Sequence, residues 1–216
     1  MFAGKPVIGI AGGIGSGKSL IASLLGEMGC LVLGADEHVQ LIYQDPEVLK
    51  TIRGWWGDGV FNSQGGLDRR AVARIVFERP EEKKRLEGLV HPKVSRMRQE
   101  AMAAAAGSAQ VLAYVWDIPL LFEVGLNEQC DVVVFVEAPW EQRVARVQKS
   151  RNWNENDLLA REKLQVPLDN KRRMSKYIIQ NTADVGFARR QVREVLSKIL
   201  ASSAMGARPA EADPPG

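Results

Sequence analysis

The octapeptide Gly12-Gly13-Ile14-Gly15-Ser16-Gly17-Lys18-Ser19 narrows the possible folds of this chain more than any other feature, because it has the spacing G-x-x-x-x-G-K-[ST] and joins two apolar segments of different period. Before it runs Val7-Ile8-Gly9-Ile10-Ala11, a short β-branched stretch with the character of a buried strand. After it, Leu20, Ile21, Leu24, Leu25 and Met28 fall on one face of a helix that Gly29 is placed to close. Leu31-Val32-Leu33 then reads as a second strand ending near Asp36. Further strands are expected at Val111–Trp116, Val132–Val136 and Tyr177–Ile179. Their unbroken apolar character, without alternation, predicts a parallel sheet covered on both faces.

The fold class that follows is α/β, a P-loop three-layer core with two helical additions. Residues 1–36, 109–139 and 177–200 supply the core. Residues 37–108 read as an amphipathic helical insertion, with Pro46 and Pro80 each at a helix start, where a missing N–H costs nothing. Residues 140–176 form a second helical segment rich in Arg, Lys and Glu, and residues 201–216 read as a disordered tail.

Glycines let the loop turn its backbone N–H groups inward around an anion, and the following helix adds its positive end. Lys18 is therefore expected at the β- and γ-phosphates of a nucleotide, and Ser19 at a Mg²⁺ ion bridging them. Other classes are disfavoured. Lys and Arg exceed Asp and Glu by only 29 to 26, which is no footprint for nucleic acid. No apolar run approaches the roughly 18 residues of a membrane span, so a cytoplasmic, unprocessed protein is expected. Cys30 and Cys130 match no metal spacing and are expected to be reduced packing residues. The one Asn-Lys pair, Asn170-Lys171, is followed by Arg172-Arg173, so the guanine-reading motif Asn-Lys-x-Asp is absent. A small-molecule kinase is the reading that remains.

Several separated motifs together resemble the dephospho-CoA kinase family over nearly the whole chain up to about residue 200. These are the loop with Leu20 where a Thr is usual, Leu33-Gly34-Ala35-Asp36, Leu67-Asp68-Arg69-Arg70, and Leu86-Glu87-Gly88-Leu89-Val90-His91-Pro92. Asp117-Ile118-Pro119-Leu120-Leu121-Phe122-Glu123, the arginines Arg146 and Arg151 with Gln165, and Ile178-Ile179-Gln180-Asn181 complete the set. The resemblance implies transfer of the ATP γ-phosphoryl group to the ribose 3′-hydroxyl of dephospho-CoA. It also implies that residues 37–108 bind that acceptor and that residues 140–176 are a mobile lid.

Roles follow on that basis. Asp36, just past the second strand, is expected to orient and deprotonate the 3′-hydroxyl, with an N-cap role as the alternative. Gly34 stands where the family commonly has another Asp. Gly13, Ile14, Gly15, Ser16, Gly17, Lys18, Ser19 and Leu20 are expected around ATP, with Asn181 reading adenine or serving a turn. Arg146 or Arg151 is expected at the β- and γ-phosphates, since arginine's planar fork suits phosphate oxygens; Arg143 and Arg161 share that stretch. Arg69, Arg70 and Lys93 are candidates for the acceptor's pyrophosphate. Leu120 is expected to line the acceptor site, while His91 and Glu123 either touch the acceptor or tie the insertion to the core. Asp117, ending an apolar strand, either holds Mg²⁺ or makes a loop contact. No nucleic-acid or membrane partner is expected, and the state is monomer or weak homo-oligomer. The competing readings are a nucleoside or nucleoside-monophosphate kinase and an ATP-binding regulatory module without transfer.

Overall fold

In the computed structural model, which describes residues 1–182 and 184–206, the chain divides into two compact units. The first comprises Met1–Leu33 with Ala105 onward, and the second Gly34–Ala104.

The first unit is built on a five-stranded sheet. Strands β1 (Val7–Gly12), β2 (Cys30–Gly34), β3 (Ala113–Asp117), β4 (Val132–Glu137) and β5 (Tyr177–Gln180) lie in the order β2-β3-β1-β4-β5. The β1/β3, β1/β4 and β4/β5 pairs are parallel, with Ile10 opposite Val134. All six residues of β1 are buried, as a central strand between two covered faces requires. Ile8, Ile10, Val115, Val134 and Val136 pack with Ile21, Leu24 and Leu25 of α1 (Lys18–Glu27) and with Val192, Leu196 and Ile199 of α9 (Val185–Gly206). Each such side chain contributes about 1.5–3 kcal/mol by leaving water. Parallel pairing brings the carboxyl ends of β1, β3, β4 and β5 to one edge, so the glycine-rich loop, Asp117, Glu137 and Asn181 are gathered there by topology. Between β4 and β5 run α6 (Trp140–Arg151), α7 (Glu155–Glu162) and α8 (Leu168–Arg173).

The second unit is helical: α2 (Ala35–Ile42), α3 (Pro46–Trp56), α4 (Arg69–Glu78) and α5 (Pro80–Ala104). Ile42, Val48, Ile52, Val60, Val72, Leu86, Val90 and Val94 form its own core. Pro46 and Pro80 do open helices, and Asp45 and Asp68 cap α3 and α4 through the N–H groups of Glu47 and of Arg70 and Ala71.

Two boundaries differ from expectation. Asp36 belongs to the helical unit and not to the core segment 1–36, because β2 ends at Gly34 and α2 starts at Ala35, with Ile42 anchoring it. The tail does not begin at Ala201: α9 continues to Gly206, with the Ser202 and Ser203 hydroxyls donating to the carbonyls of Lys198 and Ile199. Ala and Ser tolerate that helix once it is anchored on the sheet; the tail's remainder, 207–216, lies outside the described residues. Cys30 and Cys130 are free, and burial pushes the Cys30 thiol up to about 12, which keeps it inert. No helix among the described residues is long and apolar enough to cross a membrane.

Candidate active site

A loop that turns its N–H groups inward turns carbonyls outward, and the outward set needs donors. Along Ile14–Ser16 they come from three side chains. Arg146 donates to the carbonyls of Gly15 (3.3 Å), Ser16 (3.2 Å) and Asn181 (3.0 Å), and to Gln142 Oε1 (3.1 Å). Asn181, 4% exposed, donates from Nδ2 to the Ser16 carbonyl at 2.8 Å. Arg143 donates to the Ile14 carbonyl at 3.3 Å and pairs with Glu162, whose carboxylate accepts the Ile14 N–H at 3.2 Å. The N–H and C=O groups of Ile14 are thus held by one largely buried ion pair.

This packing explains the glycines. Gly17 has φ 91°, and a Cβ there would lie 2.2 Å from Asn181 Nδ2. Gly12 has φ 148°, and a Cβ would lie 2.5 Å from the Val136 carbonyl oxygen. Both positions need the left-handed freedom and the missing side chain at once.

Lys18 folds back on the loop, its ammonium donating to the carbonyls of Gly12 and Gly13 at 3.0 Å each. Burial lowers its pKa to about 8, opposed by the carboxylate of Asp117 and assisted by the cations Lys171, Arg151 and Arg143. The expected Lys18 and Asp117 therefore share one electrostatic site, and three further cations crowd it. Ser19, in the first turn of α1, is exposed. A hydroxyl and a carboxylate are hard oxygen donors that suit Mg²⁺ held mainly through phosphates. Among the described residues no cluster of three or more His, Cys, Asp or Glu forms a protein cage for a metal.

Several side chains stand elsewhere than expected. Arg146, expected at the β- and γ-phosphates, has its guanidinium engaged by the backbone carbonyls of Gly15, Ser16 and Asn181 and braces the loop. Asn181, expected to read adenine or serve a turn, donates one amide N–H to the Ser16 carbonyl and supports the loop. Glu123 pairs with Lys171 at 2.6 Å and accepts the Val166 N–H at 3.0 Å, tying the α7–α8 turn to the β3 loop. Leu120, beside it, is 44% exposed. In the helical unit Asp36, Arg69, Arg70 and His91 are exposed, with Arg69 over the Tyr43 ring at 6.0 Å, while Lys93 is held by the α3 cap Asp45 at 3.0 Å.

Lys171 and Glu162 escape a reading of the sequence. Lys171 is 2% exposed and also donates to Gln165 Oε1 at 3.1 Å, yet in sequence it sits in a run of charges that reads as solvated surface. Glu123→Ala strands its ammonium without a carboxylate, and stability is expected to fall by about 3–5 kcal/mol. A thermal melt reads this directly, and the double variant Glu123→Leu with Lys171→Met is expected to recover most of the loss. A melt of Glu123→Ala superimposing on the wild type would refute a structural pair.

The dephospho-CoA kinase family model matches residues 6–186. A dephospho-CoA kinase of Thermus thermophilus is 36% identical over 202 residues, covering 94% of this chain and 95% of that protein. One from Deinococcus radiodurans is 39% identical, covering 81% and 83%. A crystal structure of a Thermus thermophilus protein superposes with a TM-score of 0.77 at 36% identity, over 90% of this chain and 97% of that one. A shikimate kinase from Acinetobacter baumannii, 19% identical with a TM-score of 0.53 over 92% and 94% of the chains, shares the fold alone.

Proposed function

The chain belongs to the dephospho-CoA kinase family, and from that premise we propose how its own residues carry the transfer of the ATP γ-phosphoryl group to the 3′-hydroxyl of dephospho-CoA. The observation that carries the reading is the buried Lys18 ammonium at the glycine-rich loop, beside Asp117 and in the field of Lys171, Arg151 and Arg143. Glu123 and Glu162 pair with Lys171 and Arg143, so an anion of several charges would be met chiefly by Lys18 and Arg151.

In the reaction the 3′-oxygen bonds to the γ-phosphorus as the bridging bond to ADP breaks. The transition state is loose, so positioning and neutralisation of charge dominate over covalent help. The loop N–H groups and Lys18 hold the β- and γ-phosphates. Arg151, in place of the engaged Arg146, meets the transferring group with Arg161. Ser19 and Asp117 would hold Mg²⁺, which supplies neutralisation of charge between the phosphates. Asp36 takes the proton from the 3′-hydroxyl; its support is its motif and its place in the first turn of α2 directly after β2. Arg69 and Arg70 at the start of α4, with His91 and Leu120, are assigned to the acceptor. Residues 37–108 are the acceptor-binding segment and residues 140–176 the lid, and a cytoplasmic location accords with this metabolic role.

The test is ADP release from ATP with dephospho-CoA, AMP, cytidine or no acceptor. Dephospho-CoA is expected to stimulate release far above the other three, and excess chelator to abolish it. Release better stimulated by AMP would point to a nucleotide kinase, and release independent of any acceptor would overturn transfer altogether.

A further inference from the structure

The turn between α6 and α7 gathers two arginines on one aromatic ring. Arg151 ends α6, Asn152 reverses the chain with φ 55°, and the Asn154–Asp157 capping box starts α7, at whose far end stands Arg161. Trp153 occupies the corner, its N–H donating to the Val147 carbonyl at 3.4 Å. The Arg161 guanidinium carbon lies 3.9 Å from the Trp153 ring centre and that of Arg151 lies 4.8 Å from it.

Arg151 and Arg161 are exposed residues, and neither forms an ion pair with a carboxylate among the described residues. Their separation cannot exceed the sum of those two distances, which is within about one Debye length at ~0.1 M salt, roughly 10 Å. Like charges so placed repel, and cation–π attraction of about 0.5–1 kcal/mol each holds them on the ring. A ring that merely filled the turn would need no second cation. The position of the pair is set by geometry: Glu162, next to Arg161 in α7, accepts the Ile14 N–H at 3.2 Å, so this end of the platform lies at the glycine-rich loop.

We infer that Trp153 is a positioning residue for phosphoryl transfer, a stacking platform that presents Arg151 and Arg161 together to the nucleotide's phosphates. This rests on the proposed function and deepens it. The ring fixes each planar fork in orientation; Arg161 spends one Nη on the Asp157 carbonyl at 3.3 Å, which steadies it further and leaves its other N–H groups for phosphate oxygens.

The experiment compares Trp153→Leu and Trp153→Phe in steady-state transfer to dephospho-CoA. Trp153→Leu keeps apolar bulk without a π face, and kcat is expected to fall about 10- to 100-fold, as for misplaced groups at a reacting centre. KM for dephospho-CoA is expected to stay within about threefold, because the platform serves the transferring phosphate, and Trp153→Phe is expected to restore kcat to within about threefold. Arg151→Gln and Arg161→Gln, made with Trp153 intact, provide a second arm independent of any folding defect in Trp153→Leu. Each is expected to lower kcat, and each to cost less when added to Trp153→Leu. Wild-type kcat in Trp153→Leu, a Phe variant no better than Leu, unaffected kcat in both arginine variants, or full multiplicativity would each overturn the platform. Wild-type protein run alongside separates the two levels: absence of acceptor-dependent ADP release in it overturns the proposed function, whereas normal release in wild type with any of those four results overturns the platform alone.

Discussion

Asp36→Asn is expected to lower kcat by about 10²–10⁴-fold, the usual contribution of a positioned general base, while ATP binds with an affinity within about twofold of wild type. The amide keeps the size and the hydrogen-bonding reach of the carboxylate but cannot accept the 3′-hydroxyl proton. The alternative role predicts a different pattern. A residue that only caps α2 would cost about 0.5–2 kcal/mol of stability on loss of its cap, and Asn is as good a cap as Asp. In the structure the N-cap position of α2 is Gly34, with Asp36 inside the first turn. Steady-state rates together with calorimetric ATP titration measure both quantities, and a variant turning over at more than a third of the wild-type rate would remove Asp36 as the base.

The second large effect falls on Lys18. Lys18→Met removes a cation from the phosphate site but keeps an unbranched chain of similar length, and kcat/KM for ATP is expected to fall by about 10²–10³-fold, as when one charge-stabilising donor is deleted from an active site. The pH dependence adds an independent signature. Burial lowers the pKa of Lys18 to about 8 in the nucleotide-free chain, so the ammonium is charged below that pH and loses its proton above it. A polyanion binds the charged form, so ATP affinity is expected to be steady on the acid side of about 8 and to weaken by up to tenfold per pH unit above it. Lys18→Met should abolish the break. Titrations of both proteins between pH 7 and pH 9.5 measure it, and a wild-type profile with no break near 8 would contradict the assignment of Lys18 to the phosphates.

What the sequence makes visible is what depends on local pattern. The strands at Val7 and Val132 are unbroken apolar runs, and the loop between β1 and α1 carries its own spacing, so the sheet and its phosphate site are readable without coordinates. The charged residues around the loop are a different matter. Arg146 and Arg151 are equally plausible phosphate ligands in a string of letters, and only the outward carbonyls of Gly15 and Ser16 decide that Arg146 is engaged behind the loop. Asn181 follows a strand end as a turn residue or a base reader would, and its burial against Ser16 comes from tertiary packing. Lys171 shows the same limit from the other side: its partner Glu123 is 48 residues away, and no local period announces a pair that forms only when the loop after β3 meets α8. No turn signal marks the boundary near Asp36, because β2 and α2 abut at Gly34 and Ala35 with no intervening loop.

The most direct measurement of the central claim is the fate of the γ-phosphoryl group. With γ-labelled ATP, Mg²⁺ and dephospho-CoA, label is expected to appear on the 3′-oxygen of the acceptor's ribose, one phosphoryl group for each ADP released, with the position established by phosphorus NMR of the product. Label recovered as inorganic phosphate, or carried by AMP in preference to dephospho-CoA, would contradict it.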